Sequence, residues 1–222
     1  MIKMPDFSKA FEYENNFYLS CSNTRLSKIL AHYELFKMTL DLPGHIVECG
    51  VFKGTGVAKF AGFRDLFKNT FSSKIIGFDI FGKFPQTKFE ADKKPRDMLL
   101  SEAGDESISI EQLREVLKNK GLDKNIEFIQ GDINETVPKY IEENPQLKIS
   151  LLNLDTDIYE PAVTILEHLY PRIVRGGILI LDDYAVFPGE TKAVDDYFKG
   201  KNVKINKFPF AAVSPCYIVK EE

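Results

Sequence analysis

Four aspartates carry the strongest chemical signal in the chain. LLNLDTDIYEP holds Asp155 and Asp157, and ILILDDY holds Asp182 and Asp183. Each pair closes an apolar run of strand length. Asp155 and Asp182 stand 27 residues apart, which fits one strand end, a crossover helix and the end of the next strand. Neighbouring strands lie about 4.8 Å apart, so the terminal carboxylates of such a pair share one sheet edge. Like charges that close raise each other's pKa and resist joint ionisation. A hard divalent cation with oxygen ligands, Mg²⁺ foremost, removes the conflict and leaves coordination positions for water or substrate oxygens. No histidine lies nearby in sequence, which disfavours zinc. A hydroxyl held on such an ion becomes more acidic, and Asp157 is placed to take its proton. Capping a helix explains one aspartate at such a position, but not four at the ends of adjacent strands.

A second constellation lies upstream. VECGVFKGTGVAKF reads as a strand, a glycine turn and a helix, with Gly50, Gly54 and Gly56 permitting close backbone approach and Thr55 at the helix start, where free N–H groups face a ligand. The spacing is E-x-G-x-x-x-G-x-G, not the G-x-G-x-x-G of dinucleotide enzymes. Glu48 would repel a pyrophosphate but could balance the ammonium of an amino-acid sulfonium cofactor. Asp79 in GFDIF can accept from both hydroxyls of a ribose, and Asp132 in IQGDI ends the strand where an adenine edge would lie. Each of these, taken alone, could equally cap the following helix or turn. Cys49 and Phe52 are most simply core.

The elements that must position these residues alternate in strand and helix character. HIVECGV, KIIGFDIF, NIEFIQGDI, ISLLNLDTD and GGILILDDY are apolar nearly throughout, as strands covered on both faces are. Helices are predicted at 55–67, 110–120, 135–142, 160–174 and 190–199, with Tyr159, Glu160 and Pro161 at the entrance of the fourth. VKINKFP and AAVSPCYIVK are too close for a parallel crossover and predict an antiparallel hairpin at the sheet edge. Residues 25–40 form a predicted helix. The Phe- and Tyr-rich segment before it packs either on a partner subunit or on the core. Residues 82–109 are too long for an ordinary connection and form either a lid over the strand ends or a solvated insertion. Tyr184 either lines the crevice or packs. His32, His45 and His168 show no partner pattern and are taken as structural.

Composition sets the class. The chain has 222 residues, enough for one sizeable core, and a net charge of -4 with both signs interspersed, which leaves no electrostatic footprint for nucleic acid or an anionic membrane. No apolar run has the length of a membrane span, and the N-terminus lacks the apolar core of a signal peptide, so a cytoplasmic address is expected. Three separated cysteines, Cys21, Cys49 and Cys216, point to reduced, mostly buried thiols. Two rivals to a sulfonium-cofactor enzyme are a nicotinamide-dependent oxidoreductase, disfavoured by the glycine spacing and Glu48, and a non-catalytic nucleotide- or sugar-binding protein, disfavoured by four retained charges.

Together VECGVFKGTG, GFDIFGKFP, LNLDTDIYEP and GGILILDDYAVFPGETKAVDDYF resemble the macrocin O-methyltransferase family, bacterial enzymes that methylate sugar hydroxyls in macrolide and related antibiotic biosynthesis. The resemblance runs from about Arg25 to Phe198. It implies a single domain over 1–222, of Rossmann-like class I methyltransferase fold, with a doubly wound, mostly parallel seven-stranded sheet, a helical segment over 1–44 and a lid over 82–109. It further implies transfer of a methyl group from S-adenosylmethionine to a sugar hydroxyl held on Mg²⁺. By position, Asp155, Asp182 and Asp183 would be metal ligands, Asp157 the general base, and Glu48, Gly50, Gly54, Thr55, Asp79 and Asp132 the cofactor site. Family members also suggest a homo-oligomer, a dimer. The region before the first strand is short here, which leaves the acceptor open among a nucleotide-linked sugar, a surface-glycan precursor and another polyhydroxylated metabolite.

Overall fold

The computed structural model describes residues 2–221. Its sheet forms from the apolar runs: β1 (His45–Cys49), β2 (Ile75–Asp79), β3 (Ile126–Gln130), β4 (Ile149–Leu154) and β5 (Ile173–Leu181) are parallel, and β6 (Cys216–Val219) pairs antiparallel with β5. The strand order β3-β2-β1-β4-β5-β6 reverses direction between β1 and β4. A crevice opens beyond the carboxyl ends of strands at such a switch point. Helices α1 (Ala10–Ser20), α2 (Asn23–Lys37), α3 (Thr55–Phe67), α4 (Glu90–Ala103), α5 (Ile110–Asn119), α6 (Ile133–Glu143), α7 (Tyr159–His168) and α8 (Pro188–Phe198) complete the chain.

The period of two along each strand sorts the sheet into two cores. Val47, Cys49, Ile76, Phe78, Leu152, Leu154, Leu179 and Leu181 face one way and pack with α6, α7 and α8. Ile46, Ile75, Leu151, Ile178 and Ile180 face the other way, toward α2, α3 and α5. Two residues beyond Ile46 and Ile180, on that second face, come Glu48 and Asp182. Both acidic groups therefore point at α2 and α3, and this decides which side chains meet them.

Two expectations are corrected and one open alternative is narrowed. The sheet has six strands, not seven, among the described residues. Residues 203–209 add only one bridge, Asn206 to Tyr217, because Pro209 and Pro215 supply no N–H to extend a ladder. The predicted helix over 160–174 stops at His168. Pro171 turns the chain through a short 3-10 segment at Tyr170–Arg172, and the β-branched Ile173 and Val174 open β5. Finally, α1 supplies nothing to the core: none of its residues is buried, and Phe11, Tyr18 and Leu19 are mostly exposed.

The 82–109 segment is ordered around α4 and tied down just ahead of that helix. Glu160 accepts from the backbone of Lys88 and Phe89 and from Thr87 Oγ1, while Phe89 stacks on Tyr159. The three cysteines are free thiols, with Cys49 and Cys216 buried. Among the described residues no helix is long and apolar enough to cross a membrane.

Candidate active site

β1 ends in Glu48, Cys49 and Gly50, and the chain then turns through Gly54 into α3. Gly50 and Gly54 have φ of +92° and +80°, a region that costs a side-chain-bearing residue strain. At Gly50 the turn also passes so close to β4 that a Cβ would lie 1.7 Å from the carbonyl oxygen of Asp155. The glycine therefore joins the turn to the aspartate strand across the switch point. Gly56 serves another contact: a Cβ there would sit 1.8 Å from Glu48 Oε1. Glu48 is buried, and that burial pushes its carboxyl well above the usual range, with Asp155 adding to the rise and Lys59 opposing it.

Asp79 braces the turn from β2. Its Oδ2 accepts from Phe52 N at 2.9 Å, and its Oδ1 accepts from Phe81 N at 2.6 Å and Ser107 Oγ at 2.9 Å. The carboxylate expected for a ribose thus also holds the glycine loop and both flanks of the 82–109 segment. Asp132 is the N-cap of α6, accepting from Asn134 N at 2.9 Å, and its side chain is exposed. Phe52, taken as core from sequence, has φ +45° and lines the crevice instead; Cys49 is core.

Asp155, Asp182 and Asp183 converge as their strand ends require. Each offers a carboxylate oxygen, and the three lie within 4.8 Å of one another. An all-oxygen set of this kind suits Mg²⁺ or Ca²⁺ and lacks the nitrogen or sulfur that zinc prefers. Burial, then the charge of Asp182, raises Asp155 well above the ordinary carboxylate range; burial, then Asp157, does the same to Asp183. Asp157, at φ +62°, is pushed up to about 7 by burial and then by Asp155. Its side chain hydrogen-bonds Asp183, and its carbonyl accepts from Glu190 N at 3.2 Å. Glu190, fully buried in the first turn of α8, accepts from Asp183 N at 3.0 Å and fixes the loop after β5.

Sequence reasoning missed what balances this charge. Lys28 and His32, four residues apart on α2, both reach Asp182. Lys28 Nζ contacts Oδ2, and His32 Nε2 lies 3.0 Å from Oδ1. Lys59 of α3 places Nζ 2.8 Å from His32 Nδ1. Burial alone would raise Asp182, but Lys28 and His32 hold it well below the usual range. Burial lowers His32 and Lys59, while for Lys28 it is outweighed by Asp155, Asp182 and Asp183, which raise it. His32 is thus not a partnerless structural residue. The i, i+4 spacing of Lys28 and His32, which puts both on one helix face, was the available signal.

One crevice of about 780 Å³ joins the two halves. Glu48, Gly50, Thr55, Asp79 and Asp132 line it beside Asp155, Asp157 and Asp183, and Lys28 and Lys59 also face it. Of the residues expected in the site, Gly54 and Asp182 stand behind its wall, Gly54 shaping the turn and Asp182 buried between α2 and the other two aspartates.

Comparison with known proteins matches the macrocin O-methyltransferase family model to residues 19–212. Among curated relatives, a rhamnosyl-tetracenomycin-C 4'-O-methyltransferase of Streptomyces olivaceus is 30% identical over 70% of this chain and 58% of its own length. Mycinamicin III 3''-O-methyltransferase of Micromonospora griseorubida is 30% identical over 70% of this chain and 61% of its own. The matches therefore span about three fifths of those relatives. A crystal structure of a calicheamicin methyltransferase superposes with a TM-score of 0.76 at 29% identity, covering 94% of this chain and 84% of that one.

Proposed function

The chain belongs to the macrocin O-methyltransferase family, and on that premise we propose that it transfers a methyl group from S-adenosylmethionine to a hydroxyl of a sugar or similar polyhydroxylated small molecule, with Mg²⁺ at Asp155, Asp182 and Asp183. The observation that carries the reading is one crevice in which a glycine turn with its acidic residues opens onto Asp155 and Asp183, with Asp182 converging on them from behind the wall. The similar curated proteins are, by name, O-methyltransferases of a rhamnosyl-tetracenomycin C, of demethyldecarbamoylnovobiocin and of mycinamicin III.

When bound, the cofactor supplies an electrophilic methyl and the metal supplies positive charge that acidifies an acceptor hydroxyl. The rest falls to the chain. Glu48 balances the ammonium of the cofactor's amino-acid end, and Gly50, Gly54 and Thr55 give it backbone to approach. Asp79 and Asp132 accept from its ribose and adenine ends. Asp157 would take the hydroxyl proton, leaving the acceptor oxygen free to receive the methyl group that the bound cofactor would supply. Holding oxygen and methyl at near-attack distance contributes much of the acceleration. Support for a homodimer comes from α1, whose Phe11, Tyr18 and Leu19 face outward. A soluble cytoplasmic protein with no nucleic-acid partner is part of the same reading.

Calorimetric titration with S-adenosylhomocysteine, with and without Mg²⁺, followed by methyl-transfer assays on sugar and nucleotide-sugar pools, tests the proposal. Asp157→Asn is expected to abolish turnover while preserving S-adenosylhomocysteine binding. Turnover equal to that of the unaltered protein would remove Asp157 from its role as base.

A further inference from the structure

Asp182 is fully buried, and both of its oxygens are already engaged. The two partners differ in how freely they can leave. His32 is 1% exposed and stacks on Phe60, with ring centroids 5.5 Å apart. The Lys59 ammonium can only donate, so His32 Nδ1 accepts and Nε2–H donates to Asp182 Oδ1, which fixes the tautomer. Lys28 is held less firmly: its side chain is 25% exposed, it lines the crevice, and its ammonium rides on a flexible four-carbon stem. A metal ligand oxygen from Asp182 is therefore obtained most readily at Oδ2, where Lys28 now sits.

We propose that Lys28 is a built-in counter-cation of the acidic cluster, that a divalent ion enters by displacing its ammonium from Asp182 Oδ2, and that this exchange sets the affinity of the site for metal. The proposal rests on the reading of Asp155, Asp182 and Asp183 as metal ligands. The three ligand oxygens lie within 4.8 Å of one another, too small a space for a divalent ion and an ammonium together, since the two repel each other strongly in a partly desolvated site. Lys28 at the same time explains how the chain can fold with these carboxylates side by side before any ion arrives. His32 keeps Asp182 oriented throughout the exchange, as outer partners of metal ligands do.

The test uses Mn²⁺ as probe, with its dissociation constant measured by electron paramagnetic resonance on the full chain. Lys28→Met is expected to bind Mn²⁺ at least about tenfold more tightly than the unaltered protein, and Lys59→Met to gain less than about threefold, because Lys59 acts only at longer range. Equal or weaker binding by Lys28→Met overturns the proposal, and so does an equal gain in both variants. A second measurement needs no variant: labelling of the unaltered protein with an amine-reactive ester, read by peptide mass spectrometry, should show Lys28 modified faster once Mn²⁺ is added. Unchanged or slower modification refutes the exchange. If Mn²⁺ binds neither the unaltered protein nor Lys28→Met, the metal reading itself falls and this proposal with it; binding by the unaltered protein without a gain in Lys28→Met removes the exchange alone.

Discussion

Asp92→Ala should destabilise the fold by about 3 kcal/mol. Asp92 lies in α4 and is 0% exposed, yet it holds two other helices: Oδ2 accepts from Tyr159 N at 2.9 Å and Oδ1 from Gly189 N at 2.7 Å. Those N–H groups belong to the first turns of α7 and α8, where the helix offers no internal acceptor. Leaving each unpaired in a buried site costs about 1–3 kcal/mol, and loss of the negative charge at each helix start about 0.3–1 more. Burial pushes the Asp92 carboxyl above its ordinary range, so removing it recovers part of that sum. For a chain of this size, about 3 kcal/mol lowers the melting temperature by roughly 6–12 °C. Asp92→Asn should not rescue, because its carboxamide keeps one acceptor and turns an NH₂ donor toward the other backbone N–H. Urea denaturation and thermal melting of both variants give the comparison. A loss below about 1 kcal/mol for the alanine variant, or an asparagine variant as stable as the original, would refute the double-cap account.

Three further outcomes follow from the geometry. Gly56→Ala would place a Cβ 1.8 Å from Glu48 Oε1, so the carboxylate must move and S-adenosylhomocysteine affinity should fall by about tenfold or more while the helix itself forms, as calorimetry and circular dichroism can show. Arg64 is buried and donates to the carbonyls of Ser73, Lys124 and Asn125, so Arg64→Met should cost about 3–5 kcal/mol in denaturant unfolding, with Arg64→Lys recovering only part. His45 Nδ1 accepts from Lys74 N at 3.2 Å, and burial, followed by the charge of Lys74, lowers its pKa in the folded state. The unfolded chain then binds the proton first, so the stability this group contributes is present above about pH 6.5 and is lost as the pH falls from there through the folded pKa. His45→Asn, which keeps an acceptor oxygen but does not titrate, should flatten that part of the stability–pH curve; an unchanged slope counts against the assignment.

Much of the fold was legible because local chemistry repeats along the chain. A parallel strand covered on both faces must be apolar throughout, so HIVECGV, KIIGFDIF and ILILDDY announce themselves, and α3 spans the predicted 55–67. The aspartates at the ends of β4 and β5 were likewise readable, since the sheet carries its residues to one edge by connectivity alone. The edge was less legible: pairing of residues 203–209 depends on donors that Pro209 and Pro215 do not supply, and only one bridge forms.

What only the tertiary structure decided is how the buried charges are compensated. Lys28 and His32 precede Asp182 by 154 and 150 residues, and Asp92 precedes Gly189 by 97. A carboxylate's need for a counter-charge or an N–H donor is set by its own burial, whereas the group that answers it is set by which helix the alternation of a distant strand happens to face. The acidic cluster was thus written in the chain's local pattern. Its balance arises only when Glu48 and Asp182, placed by the period of two on the same face of the sheet, are covered by α2 and α3.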